Sequence, residues 1–302
     1  MRPVFRWLIA IAVLGGGAGW ALSAPEALPE DALDGLTGDP VAGERIFWAG
    51  GCASCHAAPE SEGEDRLVLS GGQRFPTEFG TFIAPNISPD PEAGIGGWSD
   101  RDFVNALRNG VSPDGRHYYP AFPYSSYRLA DTQDLVDLHA FMATLPPSDA
   151  ESRPHAVAFP FSIRRGIGLW KRLFLRDGYT VAGDLTGDAA HGRYLAEALA
   201  HCGECHTARG ALGELDRRVW LAGAPDPVGD GRIPNITPGG LDWSDQEVLD
   251  YLTDGFEPNF AGSAGGAMAE VVQNLAELPE EDRAAIVAYL RAVPAVTSEQ
   301  TP

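Results

Sequence analysis

The sequence predicts an all-α fold, two tandem units of a few short helices each, joined by a partly helical linker. Three observations carry that reading. The order of landmarks recurs once: Gly43-Glu44-Arg45-Ile46-Phe47 and Gly192-Arg193-Tyr194-Leu195-Ala196 each precede a close cysteine pair, Pro85-Asn86-Ile87-Ser88 answers Pro234-Asn235-Ile236-Thr237, and Trp98-Ser99-Asp100 answers Trp243-Ser244-Asp245. A repeat of this kind sets the architecture before any local signal is weighed. Helix signals then fall at matching places in both units, and the stretches between them are rich in Gly, Pro and Asn with no convincing strand pair. A length of 302 residues suits two domains, and 44% hydrophobic content is that of a globular chain.

The elements follow in order. Residues 1–24 carry Arg2 and Arg6, an apolar run from Trp7 to Leu22 and no acid, the layout of an export segment. The run of 16 lies between a signal-peptide core of ~7–15 residues and a spanning helix of ~17–25. Ala21 and Ser23 give a cleavage spacing, while Trp20 suits an interfacial anchor. A signal peptide and a membrane anchor through residues 7–22 therefore both fit, and both put the folded part outside the cytoplasm, soluble or anchored. After a linker at 25–40, the first unit occupies 41–148 and the second 186–296, with 297–302 as a tail. Ser99 with Asp102, and Ser244 with Glu247, read as capping boxes of helices that stop near Gly110 and Gly255. Leu135, Leu138, Met142 and Leu145 form the stripe of one closing helix, and Ile286, Tyr289 and Val293 that of the other. Such units have little to fill a core unless a large apolar cofactor supplies it.

Cys52-Ala53-Ser54-Cys55-His56 and Cys202-Gly203-Glu204-Cys205-His206 both read C-x-x-C-H, the c-type haem attachment sequence. Two thiols three positions apart can bond to one edge of the macrocycle, and the next residue then lies under the iron, where neutral imidazole is a good axial ligand. Disulfide, zinc and redox-dithiol readings compete for the same cysteines. The 150 residues between the pairs, a whole repeat, weigh against a shared zinc site, and the export segment fits haem. Two covalently bound haem c groups are the expected cofactors.

With these motifs the chain resembles the di-haem, membrane-associated class I c-type cytochromes of bacteria over residues 41–296. The resemblance also rests on Ala84-Pro85-Asn86-Ile87-Ser88-Pro89-Asp90, on Gly94-Ile95-Gly96-Gly97-Trp98-Ser99, and on Asp114-Gly115-Arg116-His117 leading into Tyr119-Pro120-Ala121-Phe122-Pro123-Tyr124. Similar runs occur in the cytochrome subunits of periplasmic alcohol, gluconate and aldehyde dehydrogenases. Those usually carry three haems against two here, so the electron donor does not transfer with the likeness. The resemblance implies a class I fold in each unit, a Met late in each domain as sixth ligand, and backbone of the two Pro-Asn-Ile loops behind the proximal imidazole; a plain turn is the other reading of those loops.

For the second unit Met268, in Gly265-Gly266-Ala267-Met268-Ala269-Glu270, is the candidate sixth ligand; it lies on no convincing helical stripe. Aligning Leu129-Ala130 with Leu275-Ala276 sets Phe122 opposite Met268, and Phe cannot ligate iron. His117 in the same loop is the candidate for the first unit, a vacant position stands beside it, and Met142 reads as core. His139, His155, His191 and His201 read as surface or linker residues, with a propionate contact open for His201.

Acidic residues outnumber basic ones 42 to 22, a net charge of −20. This argues against nucleic acid and against a non-specific hold on anionic lipid, and suits a basic protein partner. The linker at 149–185 is the exception. Phe159 to Leu175 holds Arg164, Arg165, Lys171 and Arg172 with no acid, and Arg176 follows. It reads first as a bridge between the domains and second as a basic amphipathic helix on a membrane surface. The function expected is electron transfer between redox protein partners, from a dehydrogenase or quinol-linked donor to a downstream cytochrome or oxidase, with no catalytic residue assigned. The alternative is a gas- or peroxide-reactive protein that uses an open haem in the first domain.

Overall fold

The computed structural model describes residues 2–227 and 231–297, so positions 298–302 of the expected tail lie outside the described residues. Helix α1 (Arg2–Leu22) stands at the N-terminus. The first unit runs α2 (Pro40–Ala49), α3 (Cys52–His56), β1 (Arg74–Thr77), β2 (Gly80–Ile83), α4 (Asp100–Asn109), α5 (Tyr124–Tyr127) and α6 (Thr132–Met142). The linker carries α7 (Gly166–Phe174). The second unit runs α8 (Gly187–Arg193), α9 (Gly203–His206), β3 (Ala224–Pro225), β4 (Arg232–Ile233), α10 (Asp245–Asp254), α11 (Ala267–Ala276) and α12 (Glu280–Ala292). Both capping boxes form, and Gly110 and Gly255 close α4 and α10 in the left-handed region, at φ 58° and 79°. Leu135, Leu138, Met142 and Leu145 are buried, as are Ile286, Tyr289 and Val293.

Strand pairing is where the structure departs from the sequence reading. β1 and β2 form an antiparallel hairpin in register Arg74↔Ile83 to Thr77↔Gly80, and β3 pairs β4 in the same way over two residues. All four β1 side chains are exposed, so no hydrophobic alternation marked the strand.

One device holds each unit together. The leading helix crosses the closing helix at a glycine, where a Cβ built on Gly43 would lie 2.0 Å from the Asp137 carbonyl oxygen and one on Gly192 1.8 Å from that of Ala285. Backbone meets backbone there, and any side chain would push the helices apart. Gly43 stands nine residues before Cys52, but Gly192 stands ten before Cys202. The extra residue is absorbed in Tyr194–Leu199, which continues α8 as a π-helical turn.

The two units are also bonded to each other. Asp282 on α12 is fully buried and takes Arg45 of α2, through Nε at 2.6 Å and through Nη2, together with His191 Nε2 at 2.7 Å. Burial alone would raise this carboxyl, but the hydrogen bonds from Arg45 and His191 together hold it below its ordinary 3.8. The stability it contributes is therefore present above that value and lost as pH falls through the folded value. Arg45→Met is expected to lower stability at pH 7 by about 1.5–3 kcal/mol, with the gap to wild type narrowing in acid, in urea titrations at several pH values. Gly43→Ala and Gly192→Ala should each cost about 1–3 kcal/mol by overpacking, while Gly178→Ala, with nothing within 4 Å of the new methyl, should leave the midpoint in place.

Candidate haem-attachment sites

Each C-x-x-C-H motif is a single helical turn set off by the residues before it. Gly51 enters α3 in the left-handed region at φ 63°, and His201, at φ 41°, makes the same bend ahead of Cys202. In α9 the ring of Trp220 lies where a Cβ on Gly203 would sit, only 2.0 Å away. Trp220 Nε1 donates to the Tyr289 hydroxyl at 3.0 Å, which donates to Glu197 Oε1 at 2.6 Å, and Glu197 in turn accepts from the backbone of Thr180 and Val181. Glu197 is buried on the π-helical turn and fully paired. Sequence reasoning missed this chain of bonds; the one-residue difference in spacing before Cys202 was its only trace.

The two imidazoles are held alike. His56 Nδ1 donates to the Pro85 carbonyl oxygen at 2.9 Å, and His206 Nδ1 to that of Pro234 at 2.9 Å. A carbonyl accepts only, so Nδ1 carries the proton and the lone pair of neutral imidazole is left on Nε2. Burial lowers the pKa of both rings, against the opposing effect of the carbonyl bond. The proline loops are fastened to the chain after each closing helix. Asn86 Nδ2 donates to the carbonyls of Ser148 and Ala150, and Asn235 Nδ2 to that of Val296; each Asn Oδ1 accepts the amide two residues on. Turn and support are therefore the same structure.

No two of the four cysteines are joined in a disulfide. Before a haem is attached, burial pushes the Cys52 and Cys202 thiols up to about 12, and burial followed by the neighbouring Cys205 and Glu270 pushes Cys55 up to about 11. Among the described residues no three His, Cys, Asp or Glu side chains gather into a metal cluster. Unpaired thiols beside an imidazole with a free Nε2 fit a covalent haem, and fit a disulfide or a zinc centre less well.

The influence of Cys205 on Cys55 reflects a reciprocal contact between the units. Asn274 of α11 donates to Ser54 Oγ in the first motif at 2.5 Å and accepts from Arg66 at 2.7 Å. In the other direction, Ser125 of α5 donates to Glu204 Oε1 in the second motif at 2.9 Å, and Arg209 holds Oε2 at 2.6 Å. Tyr127 donates to the Gly50 carbonyl at 2.8 Å and sets its ring 5.7 Å from that of His201. The third residue of each motif is thus gripped by the other unit.

Met268 lies in the first turn of α11, behind Gly266 at φ 54°, so it is helical although the sequence shows no convincing helical stripe there. It is half-buried and packs on the core. Met142 is fully within the core. Phe122 sits in an aromatic group with Tyr118, Tyr124 and Tyr127. His117 is buried elsewhere: Nε2 meets the Ser23 carbonyl at 2.9 Å, and Nδ1 has no partner. Beside it, Lys171 donates to the Asn109 and Gly110 carbonyls at the end of α4 and lies over Tyr124, and burial followed by Arg128 brings it down to about 7. His139 pairs with Asp100 and stacks on Phe103, and His155 Nδ1 accepts from the Ile83 amide.

Two small helical units, each with an attachment motif and a carbonyl-tethered imidazole, define a c-type haem protein. A family model for cytochrome c matches residues 40–146, and one described as cytochrome C oxidase, cbb3-type, subunit III matches 187–290. The chain is 55% identical over 296 residues to a "Diheme cytochrome c-type" protein of Cereibacter sphaeroides, covering 98% of this chain and 100% of the relative. It is 40% identical over 261 residues to the "Fructose dehydrogenase cytochrome subunit" of Gluconobacter japonicus, covering 84% of this chain and 52% of the relative. To the "Gluconate 2-dehydrogenase cytochrome c subunit" of Pantoea cypripedii it is 32% identical over 273 residues, with 86% and 60% covered. This chain thus spans little more than half the length of those two dehydrogenase subunits. The chain belongs to the di-haem c-type cytochromes, and its cofactors are two covalently bound haem c groups.

Asn274→Ala should strand both Ser54 and Arg66 at the interface. Its expected cost is about 1–3 kcal/mol, read as a lower denaturation midpoint, with greater hydrogen exchange in α3 and α11 than in α4.

Proposed function

We propose that the protein is a periplasm-facing electron carrier held to the inner membrane by α1, with haem domains at 41–148 and 186–296. Cys52, Cys55 and His56 hold one haem, and Cys202, Cys205 and His206 the other. The observation that carries this is the matched pair of tethers, which fix the tautomer and the orientation of both imidazoles before any partner is met. Haem iron supplies one-electron chemistry. The residues of this chain would hold it: the thiols would attach it, His56 and His206 would ligate its iron, and Met268 would be a further ligand in the second domain, where a thioether favours a higher potential. The named dehydrogenase subunits among the relatives support a dehydrogenase as donor, with a cytochrome or oxidase downstream.

Retention of α1 is supported by the way its end is built into the body. Ser23 is buried, its hydroxyl accepts from Arg165 Nε at 2.9 Å, and its carbonyl oxygen lies 2.3 Å from where a Cβ on Gly168 would be. The Leu28 amide then donates to Asn105 Oδ1 at 3.1 Å, and its carbonyl oxygen accepts from Arg101 Nε at 3.1 Å. Cleavage after Ser23 would sever this joint.

A second reading is favoured by His117. Its Nε2 is committed to Ser23, Met142 is core, and Phe122 holds the place of Met268, so the first haem domain offers no ready sixth ligand and suits binding of a small exogenous ligand. Carbon monoxide added to the reduced protein tests both assignments. Expected are one bound molecule per chain in wild type and in His117→Ala, and two in Met268→Ala, by difference spectra and electron paramagnetic resonance. No binding by wild type, with binding gained in His117→Ala, would return His117 to the iron and remove the second reading. An unchanged Met268→Ala spectrum would remove Met268 as a ligand.

A further inference from the structure

We propose that the linker face at the foot of α1, residues 159–176, lies on the surface of an anionic lipid bilayer. The inference rests on α1 being a retained anchor and adds the surface on which the body settles beside it. Exposure marks the place. Outside α1, ten large apolar side chains are exposed among the described residues, and five of them, Phe159, Phe161, Ile163, Leu169 and Leu173, fall within 15 positions of one another. Exposed large apolar side chains concentrated in one short stretch of chain suit an interaction surface.

Its geometry ties it to the membrane. Arg165 donates to the Trp20 carbonyl at 2.7 Å with its guanidinium 4.2 Å from the Trp20 ring, and Arg172 Nε donates to the Leu22 carbonyl at 2.7 Å. These arginines cap the C-terminal carbonyls of α1. Arg165, Gly168 and Arg172 form the line on α7 that docks α1. At about 100° per residue, Leu169 lies roughly 70° and Leu173 roughly 110° around the helix from the middle of that line. They are exposed beside a helix whose 19-residue apolar span, Val4–Leu22, is not buried by the rest of the chain.

Charge selects the lipid. The stretch from Phe159 to Leu175 has no acid; Arg172 is exposed and paired with Glu26 at 3.2 Å, and Arg176 is exposed, in a chain of net charge −20. An anionic surface repels the acidic body and attracts this face, so one orientation is left. The acidic total that argues against lipid binding elsewhere thus makes the exception directional. Arginine heads beside apolar side chains suit the headgroup boundary.

The test uses full-length, haem-loaded protein in vesicles of phosphatidylglycerol and phosphatidylcholine. A nitroxide is placed at Leu169→Cys or Leu173→Cys, with Val41→Cys as an exposed control in the first unit. We expect the vesicles to float with the protein, oxygen collisions to exceed those of a water-soluble nickel chelate at both linker positions, and the reverse at Val41. Arg176→Glu should abolish that immersion on phosphatidylglycerol vesicles without loss of flotation. Flotation with the linker labels open to the nickel chelate would overturn the surface and leave the anchor standing. Labels shielded from both reagents would show a protein covering the face, such as a second copy, and would also overturn it. Failure to float would overturn both the surface and the anchor.

Discussion

A helix of four or five residues cannot hold itself. Helix nucleation costs more than one turn of hydrogen bonds returns, and both attachment motifs, α3 and α9, are of that length. Their shape is imposed from outside, by the bend at Gly51 or His201, by a proline carbonyl on the imidazole, by Trp220 against Gly203, and by one side chain reaching over from the other unit. Cofactor geometry in each domain therefore depends on the packing of both. The two units behave as one body because each completes the other's least self-sufficient element.

The glycine crossings make that arrangement possible. With backbone packed on backbone at Gly43 and Gly192, leading and closing helices form a rigid pair in each unit, and the motif follows directly from the leading helix. Bonds between the pairs, Arg45 and His191 on Asp282, then fix their relation. The linker adds a third tie, since Lys171 on α7 closes the end of α4. Trp170 on the same helix donates to the Leu212 carbonyl of the second unit at 2.9 Å, while Leu169 and Leu173 stay exposed.

Much of this was legible in the chain. Capping boxes at Ser99 and Ser244, the glycine stops, the stripes of α6 and α12 and the repeat itself are local or periodic, and such signals survive in a single sequence. Asn274 on Ser54 joins residues 220 positions apart through two small polar side chains, which no periodicity announces. His117 was read from its nearness in sequence to Phe122, whereas its ring meets Ser23, 94 positions away. The β1–β2 hairpin left no trace because its first strand faces solvent throughout. Local order was readable, and the partners of long-range polar bonds were not.

If the units complete each other's attachment motifs, the two haems must exchange electrons within one molecule. Pulse-radiolytic reduction of the full-length protein measures this directly. The rate at which the electron redistributes between the two haem spectra is expected to be independent of protein concentration, and to slow in Asn274→Ala and Ser125→Ala. A rate that rises in proportion to protein concentration would contradict the account, because exchange would then occur between molecules and the reciprocal contact would have no part in it.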